Sequence, residues 1–289
     1  MQSPSVATVQ ILKVTSPGSD ATSFASNQAE DLLAVEQPLE IKIVYGPEND
    51  RQQKNISVTM CTPGHDEELA VGFLFTEGII TGKEDIMNCG AAANNTVIAT
   101  LRPGISFDPK KIERHFYTSS SCGVCGKSSI DAVKNNIVCK PEAIPIIVNA
   151  DIITSLPDSL KKQQEVFKHT GGLHASALFD LTGNLLLTRE DVGRHNALDK
   201  LIGASLQVVD EPLKRLAEIP LDKHILLLSG RASFELIQKA AMAGIKVVCA
   251  VGAPSSLAVE LAKETNMTLI GFLRDGRFNI YCGEQRINK

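Results

Sequence analysis

HILLLSGRASFELIQKAAMAGIKVVCAVG, residues 224–252, sets two continuous apolar runs on either side of a helical pattern. A run of strand length with no polar alternation is the mark of a strand covered on both faces. Residues 224–228 and 245–251 fit that description, with a helix over 234–243 between them. Working outward, Ser255 and Ser256 offer hydroxyl caps to a helix over 257–263, and strands follow over 267–272 and 277–281. Upstream, 185–187 reads as a strand and 196–206 as a helix. Strand-helix alternation of this kind predicts an α/β layered domain over 166–289 with a mixed, largely parallel sheet and flanking helices.

Towards the N-terminus the pattern changes to short strands: 32–35, 39–45 and 56–60, with a weaker strand pair around 96–101. Pro63 and the acidic run Asp66, Glu67, Glu68 open one helix, because carboxylates favour the positive end of the helix dipole. Leu69, Ala70, Phe73 and Leu74 share a face of that helix, which ends near Gly78. The expected organisation is a strand and loose arm over 1–30 and a β-rich lobe with one helix over 31–104. A cysteine loop and helical connector follow over 105–165, then the α/β domain over 166–289. Ser128 or Ser129 is placed to cap a connector helix through Ile130 and Val133, and Leu156-Pro157-Asp158-Ser159 looks like a break between two short helices.

The chain has 289 residues, 21% of them charged, and a net charge of −4, which gives no reason to expect nucleic-acid or anionic-membrane binding. No apolar stretch reaches membrane-spanning length, and the first residues lack the pattern of a secretory signal. Seven cysteines, an odd count without an export signal, point to a reducing, cytoplasmic setting. Cys61, Cys139, Cys249 and Cys282 lie in or beside apolar runs and read as small buried hydrophobes.

Cys122 and Cys125 stand apart, in Ser121-Cys122-Gly123-Val124-Cys125-Gly126. Thr118 to Ser121 supply hydroxyl donors, Gly123 and Gly126 admit backbone N–H groups, and Lys127 adds positive charge. Each favours thiolate over thiol, the form that reacts. A redox disulfide, half a zinc site or a persulfide carrier would all suit the spacing. Zinc is disfavoured, since a structural site takes about four ligands and no second Cys or His pair at metal spacing is present. Deaminase-type zinc would want Pro where Ser121 stands.

Four polar clusters lie where α/β domains place ligands, at strand ends and helix starts. They are Thr170 to Ala175 with His174; Glu190-Asp191-Val192-Gly193-Arg194-His195-Asn196; Ser229-Gly230-Arg231; and Phe272-Leu273-Arg274-Asp275-Gly276-Arg277. Asp191 could simply cap a helix, and Asp275-Gly276 is a hairpin signal by itself. The arginines exceed what caps and turns require, and suit phosphates or a guanine edge.

Together with Thr62-Pro63-Gly64, Asp66 to Ala70, Gly72 to Leu74, Thr76 to Ile80 and Asp199-Lys200, these segments resemble the formate dehydrogenase accessory sulfurtransferase family, FdhD/NarQ, in order from Leu32 to Tyr281. The resemblance implies a cytidine-deaminase-like fold without the deaminase zinc. It implies a sulfurtransferase that takes persulfide sulfur from a cysteine desulfurase and delivers it to molybdenum bis-guanine-dinucleotide cofactor for formate dehydrogenase. Under it Cys122 is the persulfide carrier and Cys125 relays, resolves or assists. Phe272, Leu273, Arg274, Asp275, Gly276 and Arg277, with Arg231, Arg194 and His174, form the cofactor-binding surface. Leu273 and Asp275 are the positions of that turn least bound by the pattern. A homodimer is compatible with the resemblance. The rival readings are a non-catalytic chaperone of the same cofactor and a Cys-x-x-Cys disulfide oxidoreductase.

Overall fold

A computed structural model describes residues 5–16, 24–105, 146–164, 170–206 and 221–289. Cys122, Cys125, Cys139 and the connector helix expected after Ser128 lie outside the described residues. The principal sheet has six strands: β8 (His174–Phe179), β9 (Leu185–Asp191), β10 (Ile225–Leu228), β11 (Val247–Ala250), β12 (Thr268–Arg274) and β13 (Arg277–Cys282), in the order β13-β12-β11-β10-β8-β9. It is mixed, as expected, but parallel only across β10, β11 and β12, so the expectation that it is largely parallel is corrected. The reason is local. β8–β9 and β12–β13 are hairpins, and tight turns after Phe179 and Arg274 return the chain antiparallel at each side of the parallel centre.

The apolar runs are buried on both faces, as their lack of alternation requires. Leu226, Leu228, Val248 and Ala250 face the helices α3 (Arg194–Leu206), α4 (Phe234–Met242) and α5 (Ser256–Glu264). Ile225, Leu227, Val247 and Cys249 face α2 (Ala150–Gln163). Ser255 caps α5 by accepting from Ala258 N. The break expected at Leu156 to Ser159 is absent, and α2 runs unbroken through Pro157. An interior proline costs a helix about 3 kcal/mol, whereas each fully buried aliphatic side chain contributes about 1.5–3 kcal/mol. Ile153, Leu156 and Leu160 are all buried against the sheet, so burial wins.

The N-terminal part holds a four-stranded sheet in the order β4-β3-β6-β5, from β3 (Gln37–Tyr45), β4 (Gln52–Cys61), β5 (Ile86–Ala92) and β6 (Thr96–Leu101). The strand expected at the start of 1–30 is β1 (Val6–Thr15); it pairs with β2 (Ala25–Ala34), which takes in the end of the expected loose arm and most of the strand expected over 32–35. The polar sequence of β2 carries no alternation, so its strand conformation is set by the partner rather than by its own pattern. A short parallel pair, β7 (Val148–Asn149) with β14 (Ile287–Asn288), closes the C-terminus beside α2. Among the described residues no helix is long and apolar enough to cross a membrane.

Helix α1 (Asp66–Thr76) joins the two sheets. One side packs on the small sheet through Leu69, Ala70, Val71 and Leu74. The other crosses α3 at a glycine pair: a Cβ on Gly72 would stand 1.9 Å from the Asp199 carbonyl oxygen, and one on Gly203 would stand 1.8 Å from that of Glu68. Polar ties reinforce the crossing. Arg189 of β9 donates through Nη2 to Glu68 Oε1 at 2.7 Å. Lys239 of α4 donates to both Asp199 oxygens at 3.0 and 2.9 Å and to Thr76 Oγ1 at 2.8 Å. Burial works against the Lys239 ammonium, but the charges of Asp199 and Glu77 and the hydrogen bonds to both together outweigh it and raise its pKa. Gly203→Ala must push the two backbones apart, and is expected to lower stability by about 3 kcal/mol or more. Denaturant unfolding measures this, and an unchanged midpoint would contradict the crossing.

Candidate functional site

Strand direction brings the sequence clusters to one edge of the six-stranded sheet. The parallel strands β10 and β12 end there at Leu228 and Arg274, and β11 ends there at Ala250. The antiparallel β8 begins there at His174, opposite the last residue of β9, Asp191, and β13 begins there at Arg277. In strand order, the Phe272–Arg277 turn stands at one end, Gly252 and Ser229 to Arg231 lie between, and His174, Arg194 and His195 stand at the other. Five strand intervals of about 4.8 Å make this edge roughly 24 Å long.

The loops are locked by hydrogen bonds that extend the sheet. Gly252 N donates to Gly230 O at 2.9 Å, Ala232 N to Ala253 O at 3.2 Å, and Phe272 N to Gly252 O at 3.1 Å. Ser229 Oγ accepts from Ala175 N at 2.8 Å. Gly252 has no room for a side chain, because its Cβ would lie 2.9 Å from Arg231 Cγ. The Arg231 stem therefore lies against the next loop while the residue as a whole stays exposed.

Asp191 is a hub for the loop rather than a ligand group. It is fully buried, pairs with the equally buried Lys200 at 2.7 Å, and accepts from Thr62 N at 3.1 Å, Gly193 N at 2.8 Å and Asn196 Nδ2 at 3.1 Å. Lys200 also donates to Thr62 O at 2.7 Å. The Thr62-Pro63-Gly64 segment of one sheet thereby holds the Gly193-Arg194-His195 turn of the other. His195 Nε2 lies 2.9 Å from Glu235 Oε2, a partner that the sequence did not single out.

His174, Ser176, Arg194, Ser229, Gly230 and Arg231 line a small cleft. Burial, then the charges of Arg194 and His195, push the His174 pKa below the usual histidine value, with Asp191 opposing, so the ring is neutral at neutral pH. Arg194 Nε is buried without a hydrogen-bond partner among the described residues. Such an orphan donor in a native fold calls for an explanation, and an anion in the cleft supplies one.

The last cluster is a bulged hairpin. Asp275 and Gly276 have φ of 53° and 69°, a type I′ pair, as the Asp-Gly dipeptide predicts. Phe272, half-exposed, has φ 52° inside a register shift between Gly271 and Arg274. A bulky residue held there costs on the order of 1–3 kcal/mol and marks sites where function selects the strain. Leu273 is taken out of the candidate surface: it is buried in the core with Ile270 and Phe278. Arg274 and Arg277 are cross-strand partners and exposed, an arrangement that like charges disfavour. Neither they nor Arg194 and Arg231 form an ion pair among the described residues.

Of the cysteines, Cys61 and Cys249 are buried, and Cys282 packs partly buried against the core. Burial first, then the Asp191 charge, pushes the Cys61 thiol up to about 12, and burial does the same for Cys89. Neither is a ready nucleophile. His-x-Glu spacing occurs at His65 and Glu67, but His65 Nδ1 pairs with Glu68 at 3.2 Å and Glu67 accepts from Ala91 N at 3.1 Å. No group of three or more His, Cys, Asp or Glu placed to hold a metal occurs among the described residues.

The chain is similar to sulfur carrier proteins FdhD. It is 46% identical over 267 residues to that of Streptomyces coelicolor, covering 89% of each chain. It is 45% identical over 269 residues to that of Mycobacterium tuberculosis, covering 89% of this chain and 92% of the relative. The protein of Thermoplasma volcanium is 43% identical over 272 residues, with 92% of each covered. A crystal structure from Desulfotalea psychrophila, described as a formate dehydrogenase accessory protein, shares the fold with a TM-score of 0.69 at 22% identity, covering 97% of this chain and 99% of that one. The family model for FdhD/NarQ matches residues 34–288, the four- and six-stranded sheets and the whole polar edge, but leaves out β1 and all of β2 except Ala34. The chain belongs to the FdhD/NarQ family.

Proposed function

We propose that this protein is a cytoplasmic sulfurtransferase that carries sulfur on Cys122 and hands it to a guanine-dinucleotide molybdenum cofactor destined for formate dehydrogenase. The observation that carries the binding half is the edge with four arginines, Arg194, Arg231, Arg274 and Arg277, that form no ion pair among the described residues, beside an exposed Phe272 held at positive φ. Arginine forks match phosphate oxygens, and an aromatic face suits a purine. The carrier half is supported by the relatives' description as sulfur carriers and by the two buried, unreactive thiols Cys61 and Cys249, which leave the chemistry to another cysteine. The finer fold reading, a cytidine-deaminase-like layer, is supported by helices on both faces of a sheet with a parallel centre.

In this mechanism the Cys122 thiolate attacks the outer sulfur of a desulfurase persulfide. One S–S bond forms, the old one breaks, and the desulfurase thiolate leaves, so the exchange needs no external oxidant. The cofactor is the substrate of the second step. Its phosphates are held by the arginines and its guanine by the Phe272 turn, with the neutral His174 beside the Arg194 guanidinium. Cys125 assists the carrier or relays the sulfur.

Mass spectrometry after incubation with a cysteine desulfurase and cysteine is expected to find one added sulfur on the peptide containing Cys122. Cys122→Ala is expected to abolish that addition; a variant that still activates formate dehydrogenase would leave only a chaperone role. Replacing Arg274 and Arg277 together with Ala removes charged hydrogen bonds of about 1.5–3 kcal/mol each. The affinity for guanosine diphosphate should then fall by roughly a hundredfold or more. Unchanged calorimetric affinity would remove the turn from the site.

A further inference from the structure

His174 is the one histidine among the residues that line the anion cleft. Its ring is half-buried and lies over the loop after β10, where a Cβ on Gly230 would stand 3.3 Å from its Nδ1. Arg194 and His195 act on it from the start of α3, and Arg231 shares the cleft from the β10 loop. Asp191, its cross-strand partner on β9, is committed to Lys200 at 2.7 Å, and Glu235 at the start of α4 to His195 at 2.9 Å. Glu190 precedes Asp191 on β9, and strand alternation sends it to the other face of the sheet. The described residues thus set two guanidiniums around the cleft and bring the ring no uncommitted carboxylate.

A proton on such a ring is opposed by burial and by the guanidiniums, and an anion lodged between them reverses the balance. It offsets their charge and gives the protonated ring an acceptor. Both ring nitrogens donate in imidazolium, so the contact does not depend on which of them faces the ligand. The same anion satisfies Arg194, whose Nε is buried without a partner among the described residues. The spacing along the edge also fits. Phe272 N donates to Gly252 O and Gly252 N to Gly230 O, so the Phe272 turn and the cleft are two strand intervals apart, about 10 Å. A nucleotide whose base lies on that turn brings its diphosphate to the cleft.

We propose that a phosphate group of the bound nucleotide enters this cleft together with a proton, which His174 takes from solvent, so that the imidazolium becomes a third cationic contact beside Arg194 and Arg231. The inference rests on the binding half of the function proposed above and adds a proton-coupled contact to it. Burial, then the charges of Arg194 and His195, hold the ring below the usual histidine value, and the anion raises it again. Affinity therefore climbs as pH falls through the liganded midpoint and levels off below the unliganded one, by about tenfold for each pH unit between the two.

Inorganic sulfate tests the cleft by itself, since it keeps both charges from about pH 5 to pH 8, the range in which histidine titrates. In nitrogen–proton NMR spectra of the full chain, His174 is expected to titrate at higher pH with sulfate than without. Sulfate affinity, followed at the Gly230 amide, should rise as pH falls and lose that dependence in His174→Gln. Guanosine diphosphate mannose extends the test to a nucleotide, because its diphosphate is esterified at both ends and does not titrate in this range. Calorimetry in two buffers of different ionisation enthalpy should find proton uptake when it binds wild type, and none with His174→Gln. An unmoved His174 midpoint, a pH dependence that survives His174→Gln, or nucleotide binding without proton uptake overturns the proposal. Wild-type protein that does not bind guanosine diphosphate mannose contradicts the function proposed above, while sulfate still decides this one.

Discussion

Two helices that touch backbone to backbone hold this molecule together. Where α1 crosses α3, Gly72 and Gly203 leave no space for even a methyl group, since each Cβ would fall within 2 Å of a carbonyl oxygen of the other helix. Among the described residues, the small sheet meets the large one chiefly through that contact and through the ties of residues 59–62 to Asp191, Asn196 and Lys200. Fully buried ion pairs are rarely a source of net stability, because desolvation offsets most of the attraction. Their value here is geometric. Lys239 with Asp199 sets α4 against α3, and Lys200 with Asp191 sets the Arg194–His195 turn against Thr62. Two such pairs fix the start of α3, the element that presents Arg194 and His195 to the edge.

That edge is electrostatically unfinished. Four arginines stand along it without carboxylate partners among the described residues, two of them directly opposite each other in a hairpin, although the chain as a whole is acidic. In water such an arrangement is tolerated because the high dielectric of the solvent leaves exposed like charges only weakly repelling. It acquires a purpose when a polyanion lies along it. The loops beneath are not adaptable: backbone bonds from Gly252 to Gly230 and from Phe272 to Gly252 hold them in register. Rigid donors aimed at an anion avoid the ordering cost that a mobile loop would incur on binding.

The large sheet was readable because its strands obey one rule and its turns another. Runs such as 225–228 and 247–250 lack alternation since both faces are buried, and Asp275-Gly276 and Ser255 announce a turn and a cap by their own chemistry. The hairpin signal at Asp275-Gly276 gave the direction of β13, but that of β8 and β9 was not readable, because it depends on whether a turn or a helix makes the connection. The helix through Pro157 and the strand β2 escaped for the same reason, each being imposed by a partner against its own propensity. The site was legible as separate clusters, and strand direction assembled them. Leu273 sits between two site residues in sequence yet faces the core, since a bulge reset the alternation around it. Glu235 left no signal at all, as an acid in the first turn of a helix is ordinary until its partner across the sheet edge is seen.

The account joins a cysteine that carries sulfur to an edge that holds the cofactor receiving it. The most direct measurement follows the atom. Cysteine labelled with heavy sulfur is supplied to a desulfurase, this protein and formate dehydrogenase lacking activity, and the cofactor is recovered from the activated enzyme. The account predicts heavy sulfur on that cofactor, with the label lost when Cys122 is replaced. Activation that yields cofactor carrying only unlabelled sulfur would contradict it.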